Sequence, residues 1–350
     1  MKVIGRVILS VVLLILTGLL MSVASFAPEV LFSFYTDFSK QALDAISKVT
    51  GALPFALWEW LAVVAVLLAL YFLFHKFRPI AWLTGVIAWF SAMVLVFTVL
   101  WGLNYFAPPV DSRFGLEREL YSVQTLKNAT IYMAERAGQT ADLVTRDEDG
   151  LMIADFDAWA SAAADGYTAM GEKDPFFGGD TPRVKKLLSG RLFSYMGFTG
   201  IFVPFTAEAN VNPETSTASL PFTMCHELAH RKTVARENEA NFCAFLACLE
   251  NPDPAFQYSA WYCAFSYTYA SLCKADPTAA LEVADSLSDA LRRDRNAAGE
   301  LYAKFDGPVQ EAAQKANDLY LKTAGDENGA ESYGEVTDLL VAWYLKQIES

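Results

Sequence analysis

His226 and His230 stand four residues apart in the stretch MCHELAHRKTVARENEAN, which runs from Met224 to Asn241. On a helix that spacing sets the two imidazoles one above the other on the same face, where both can reach a single metal ion. Glu227 flanks that face and completes the H-E-x-x-H pattern, in which two histidines bind zinc and the glutamate takes a proton from the metal-bound water. Catalytic zinc keeps three protein ligands and leaves a fourth position for water or substrate. A third ligand is therefore expected downstream, and Glu237 in the run RENEAN fits best. The E-x-x-A-N form of that run puts Asn241 one turn beyond Glu237, placed to hydrogen-bond a metal ligand from behind, whereas Glu239 points elsewhere. Arg231 to Arg236 form a short polar link that must reverse the chain between two helices.

A short motif of this kind also arises by chance on a solvated helix face. Three features argue against that here. The chain has only three histidines, and two of them sit in the motif. Met224, Cys225, Leu228 and Ala229 are apolar or small, so the helix reads as buried, where unpaired histidines and a glutamate are costly. The E-x-x-A-N run follows at once.

HELAH followed by RENEAN resembles the zincin metallopeptidases of the glutamate-ligand kind, in which an E-x-x-A-D or E-x-x-x-D helix supplies the third ligand; Asn241 stands where those enzymes carry aspartate. Over nearly its whole length the chain is similar to a bacterial family known as domain of unknown function 3810. The matching stretches are GALPF (51–55), LWGLNY (100–105), PFTAEANVN (204–212), HELAH, RENEANF and SYGEVTDLL (332–340). The resemblance implies a membrane zinc peptidase and names no substrate. No histidine of the soluble part is left over to stabilise an oxyanion, so a tyrosine or arginine is wanted, and Tyr333 in the SYG stretch is the candidate.

The elements that must position these residues begin in a membrane. With 53% hydrophobic residues concentrated toward the N-terminus, the chain is too apolar for an ordinary soluble protein. Val3 to Phe26 reads as an uncleaved span, longer than the apolar core of a signal peptide, although Ser22 to Ser25 offers small residues for cleavage. Phe55 to Phe74 and Ile80 to Leu103 are of spanning length, and Trp58 and Trp60 suit a headgroup belt. The alternative is the buried core of a large helical domain. Basic residues at the N-terminus and in the turn His75–Pro79 predict that both lie in the cytoplasm, which places everything after Tyr105 outside. Between the first two spans, Leu31, Phe34, Tyr35, Phe38, Ala42 and Ile46 recur at helical spacing.

Asn104 to Arg113, with Pro108–Pro109, reads as a linker. Helices are expected over Leu116–Ala137, Ile153–Met170, Ala279–Leu291, Pro308–Thr323 and Tyr333–Gln347, and the aromatic-rich stretch Phe256–Cys273 reads as core. Arg183, Lys185 and Lys186 read as a solvated basic face. Residues 198–206 are extended in character, either an edge strand that pairs with extended substrate or an ordinary core strand. Glu208 and Asn210 then line the cleft or cap the loop. The five cysteines, Cys225, Cys243, Cys248, Cys263 and Cys273, read as small buried residues rather than a disulfide framework, with Cys225 as a nucleophile the weaker reading. A net charge of −13 makes nucleic acid an improbable partner.

The expected fold is mainly α, with three transmembrane helices in a membrane domain (1–104) and a mostly helical zincin-like domain (105–350) carrying a small β element. The expected function is a membrane-anchored Zn2+-dependent metallopeptidase, acting on a peptide or protein substrate outside the cytoplasmic membrane and embedded in the lipid bilayer. The metal ligands would be His226, His230 and Glu237, with Glu227 and Tyr333 in catalysis. The alternative is a non-catalytic zincin-like sensor or assembly partner. An intramembrane protease is disfavoured because HELAH lies far from any spanning run.

Overall fold

The computed structural model describes residues 2–76, 78–325 and 332–349. It is mainly helical with one small sheet, and it divides into two compact units: Met1–Pro108 with Val203–Glu208, and Pro109–Phe202 with Ala209–Ser350.

The first unit contains α1 (Lys2–Phe26), α2 (Pro28–Phe32), α3 (Tyr35–Thr50), α4 (Leu57–Lys76) and α5 (Pro79–Leu100). Among the described residues, Val3–Phe26, Leu57–His75 and Pro79–Leu100 are long and apolar enough to cross a membrane. Helices are the natural choice there, since hydrocarbon offers no partner for an open backbone group. Most of the large apolar side chains on α1, α4 and α5 point outward. Proline at the first turn of α2 and α5 costs nothing, because the missing N–H has no intrahelical acceptor.

The segment between the first two long apolar helices is helical as expected, and the face α3 buries takes in only Tyr35 of the apolar residues at helical spacing. Tyr35, Ser39, Leu43, Ser47 and Thr50 are buried, whereas Phe34 and Phe38 are exposed. Hydrogen bonding is the reason. The Tyr35 hydroxyl donates to the Thr98 carbonyl (3.2 Å) and the Ser39 hydroxyl to that of Leu100 (2.7 Å), so small polar residues let α3 approach the end of α5. The expected linker is also more ordered than its prolines suggest. Gly102–Phe106 forms a 3-10 turn with Leu103, Asn104 and Tyr105 buried, and the Asn104 amide donates to the Trp101 carbonyl (2.8 Å).

The second unit contains α6 (Val123–Ala141), α7 (Phe156–Lys173), β1 (Lys185–Lys186), α8 (Gly190–Met196), most of β2 (Gly200–Val203) and β3 (Glu208–Val211), and then α9 (Leu220–Arg231), α10 (Glu237–Glu250), α11 (Pro254–Ala275), α12 (Pro277–Asp285), α13 (Asp289–Ala303), α14 (Pro308–Ala324) and α15 (Ser332–Glu349). Side-chain caps start several of these helices: Ser122 on α6, Asp155 on α7, Asp253 on α11, Asp276 on α12 and Ser288 on α13. Each meets an orphan N–H and contributes about 1 kcal/mol. The sheet order is β1-β3-β2, with β1 parallel to β3 and Lys185 opposite Asn210. The extended stretch therefore supplies an edge strand, β2.

Two surface readings change. Lys185 is buried (6% exposed) because β1 is hydrogen-bonded to the central strand, while Arg183 is exposed and paired with Asp157. Cys273 is exposed on the outer side of α11, unlike the four other cysteines, which are buried; all five are free thiols.

Helices α9, α10 and α11 form the centre of this unit, with Phe242, Phe245, Phe256, Phe265 and Leu228 fully or almost fully buried. Helix α7 crosses α10 at Gly166, where a Cβ would stand 1.9 Å from the Ala247 carbonyl oxygen. Backbone touches backbone there, so no side chain can give way. Gly166→Ala is expected to lower stability by about 1–3 kcal/mol, as overpacking of a close-packed core does, measured as a drop in the thermal unfolding temperature of the detergent-solubilised chain.

Candidate metal centre

Helix α9 begins with Pro221 at its first turn and is buried nearly all round, as a helix in the middle of a core is. The Phe222 amide donates to the Ser259 hydroxyl (3.0 Å), and the Tyr167 hydroxyl donates to the Cys225 carbonyl (2.8 Å). These contacts fix the axis of α9 beside the two histidines. After Arg231 the chain reverses through Lys232–Arg236 into α10. Thr233 takes the left-handed conformation (φ 72°), unusual for a β-branched residue and costing about 1–3 kcal/mol. The Lys232 ammonium is buried but donates to the Gly178 and Gly179 carbonyls (3.1 and 3.0 Å).

This reversal brings Glu237, the first residue of α10, back to the histidine face. His226 Nε2 lies 3.1 Å from His230 Nε2 and 3.2 Å from Glu237 Oε2, and His230 Nε2 is 3.7 Å from the same oxygen. Ligand atoms at about 2.0–2.1 Å from a tetrahedral zinc lie about 3.3 Å apart, so this triangle fits one ion. No other group of histidine, cysteine and carboxylate ligands of this kind occurs among the described residues. His230 is oriented by a backbone group: its Nδ1 is 2.8 Å from the Val234 carbonyl and carries a proton, so loss of the other proton would leave Nε2 the lone pair a metal takes. The His226 and Glu237 side chains retain 13% and 12% exposure, so the triangle is not wholly enclosed.

Glu227 is 4% exposed, and its Oε2 has no hydrogen-bond partner. Burial raises its carboxyl to about 7, against the lowering pull of His226 and His230. Gly200 of β2 lies against this carboxylate; a Cβ at that position would stand 2.4 Å from Glu227 Oε1. Burial works against a charge on both Glu237 and His230, but each is outweighed by the other: Glu237 is held well below the usual carboxylate range, and His230 is raised to about 9.

Asn241 is buried one turn along α10, but it is held by Tyr267 of α11, whose hydroxyl donates to Asn241 Oδ1 (3.1 Å), and not by a histidine or Glu237; its Nδ2 has no partner. The side chain of Tyr333 lies outside the described residues. Glu239 points away, accepting from the Val110 amide and from Arg236. Cys225 is fully buried and bonds toward the Ala163 carbonyl, which suits packing and not nucleophilic attack. The sequence alone gives Gly200 a place in the extended stretch 198–206 and assigns no role at the centre to it, to Tyr267 or to the Val234 carbonyl. Only Gly200 had a signal, since an isolated glycine in a strand often marks close approach of another group.

The linkage signs give a pH test. His230 titrates near 9 in the folded metal-free chain and near 6.5 when unfolded, so its contribution is full below 6.5 and lost as pH rises through 9. Glu227, raised to about 7, has the same sign and costs stability as pH rises above its unfolded value near 4.5. Glu237 acts oppositely, its contribution vanishing as pH falls below that value. With chelator present, the unfolding temperature should fall steadily from about pH 5 to pH 9, and His230→Gln should flatten the part above about 6.5; a flat wild-type profile would contradict the buried pair.

One family model matches residues 34–341, most of the 350-residue chain. Among curated proteins and solved structures nothing matches. The match runs from α3 through the sheet and the histidine helix into α15. This chain therefore belongs to the family described as Protein of unknown function (DUF3810).

Proposed function

We propose that this chain is a membrane-anchored zinc metallopeptidase. The observation that carries the reading is the convergence of His226 Nε2, His230 Nε2 and Glu237 Oε2 beside the buried carboxylate of Glu227. The donors suit zinc: two imidazole nitrogens and one carboxylate, a set that leaves the fourth position to water or substrate. A zinc ion held there would supply Lewis acidity, polarising a scissile carbonyl and making water easier to deprotonate.

The chain's own residues do the rest. Glu227, with a carboxyl that titrates near neutrality, takes the proton of the attacking water and delivers it to the leaving amine nitrogen. Burial keeps Glu227 from being held by bulk water, and Gly200 confines it without a competing side chain. The Val234 carbonyl holds the imidazole of His230 in the tautomer that binds metal. The outer edge of β2, the last strand in the sheet order, would give an extended peptide a backbone to pair with. The substrate is a peptide or protein outside the cytoplasmic face, because basic residues at the N-terminus and at the α4–α5 turn favour the cytoplasm and an odd number of spans carries the rest across.

Metal content of the purified full chain tests the ligands: about one zinc per chain is expected, lost in His230→Ala and Glu237→Ala. Glu227→Gln should keep the zinc and lower hydrolysis of an unstructured peptide by about 10²–10⁴-fold. Zinc retained with hydrolysis unchanged in Glu227→Gln would remove Glu227 from the reaction, and a folded chain without zinc would favour the non-catalytic alternative. Orientation is tested separately: a reporter active only outside the cytoplasm, fused after Ser350, should be active.

A further inference from the structure

The connection between the two strands beside the candidate centre leaves their unit. Residues Val203–Glu208, the end of β2, the turn and the first residue of β3, group with the membrane-spanning helices, whereas the rest of both strands belongs to the second unit. Three attachments hold this tip within the first unit. Both oxygens of the Glu208 carboxylate are used, Oε1 accepting from the Leu57 amide (3.0 Å) and Oε2 from the Trp58 amide (3.1 Å). The Thr50 hydroxyl donates to the Thr206 carbonyl (2.8 Å), and the Phe205 ring packs on that of Phe97 in α5.

The Glu208 contact is specific. Leu57 and Trp58 open α4, so their amides are among those a helix cannot satisfy itself, and a carboxylate there also meets the positive end of the helix dipole. Glu208 is 2% exposed, and the turn before it holds Ala207 in the left-handed region (φ 51°). A buried carboxylate on a strained turn is a costly way to cap a helix that a local serine or aspartate would cap as well. Its distinctive consequence is to tie the start of a spanning helix to β3, the central strand, which is hydrogen-bonded to β2 and so to Gly200 against Glu227.

We propose that Glu208 is a positioning residue, through which the start of α4 holds the β2–β3 ribbon in register beside Glu227. The ribbon is then a tether, and disturbance of the α4 start reaches the edge strand through four residues of turn, Pro204–Ala207. What this means for hydrolysis rests on the peptidase reading; the tether itself needs neither metal nor activity.

Amide hydrogen exchange of the full chain in detergent micelles tests it. Glu208→Ala should speed exchange at Leu57 and Trp58, and also at Gly200–Val203 by about tenfold or more, while Phe256–Phe265 in the core stays protected. Glu208→Gln, which keeps an acceptor oxygen, should restore part of the protection at both places. Thr50→Val, which removes a different attachment, should loosen Gly200–Val203 in the same direction while leaving Leu57 and Trp58 protected. Faster exchange confined to Leu57 and Trp58 in Glu208→Ala would overturn the proposal and leave Glu208 as a helix cap only. If Glu208→Ala instead loosens the whole chain, Thr50→Val decides, and unchanged exchange at Gly200–Val203 in that variant overturns it. Zinc content read in parallel separates this failure from failure of the peptidase reading.

Discussion

Four ionisable side chains, His226, Glu227, His230 and Glu237, are gathered in the middle of an apolar helix pair, and much of the second unit answers to the need to make that arrangement tolerable. A buried charge without a partner is strongly unfavourable, and even a paired one repays its desolvation only when geometry and hydrogen bonds are good. His230 and Glu237 offset one another's charge, and the Val234 carbonyl accepts a hydrogen bond from His230 Nδ1. Glu227 is left with one oxygen unmatched and a carboxyl raised toward neutrality. Under the proposed reading, a carboxylate with one oxygen unmatched beside the three donor atoms is what proton transfer would require.

The scaffold supports this centre with backbone more than with side chains. The carbonyls of Cys225 and Val234 accept from Tyr167 and His230, and the carbonyl of Ala247 meets Gly166. Such contacts leave little freedom: the helices cannot slide without losing them, so the three donor atoms are held in place by the scaffold itself. The left-handed Thr233 belongs to the same economy of space, since a wider turn would carry Glu237 away from the histidines.

The first unit follows a different logic. Its three long apolar helices expose apolar side chains, and where α3 and Glu208 meet the end of α5 and the start of α4, hydroxyls and a carboxylate bond to backbone groups at helix ends. Polar contacts placed there satisfy groups that hydrocarbon would leave bare. They also make the β2–β3 turn the place where a chain otherwise devoted to one unit takes part in the other.

The spacing of His226, Glu227 and His230 was enough to name the histidine face, because helical periodicity dictates which residues share a face over one or two turns, and the E-x-x-A-N run that follows named Glu237. Length and apolarity likewise marked the three spanning helices, and their basic flanks marked the expected orientation. Both are local properties, readable without knowing what lies opposite. What lies opposite is where the reading stopped. Asn241 is one turn from Glu237 as its spacing requires, yet it turns to Tyr267, a choice made by the packing of α11. The buried face of α3 adds Ser39, Leu43, Ser47 and Thr50 to Tyr35 and leaves Phe38 outside, because hydroxyls could reach the end of α5. Gly200 against Glu227, the Val234 carbonyl on His230 and Glu208 on the start of α4 join residues far apart in the chain or use backbone atoms common to every residue type. No side-chain pattern encodes such contacts; they exist only once the helices and strands have packed, and the tertiary structure alone decides them.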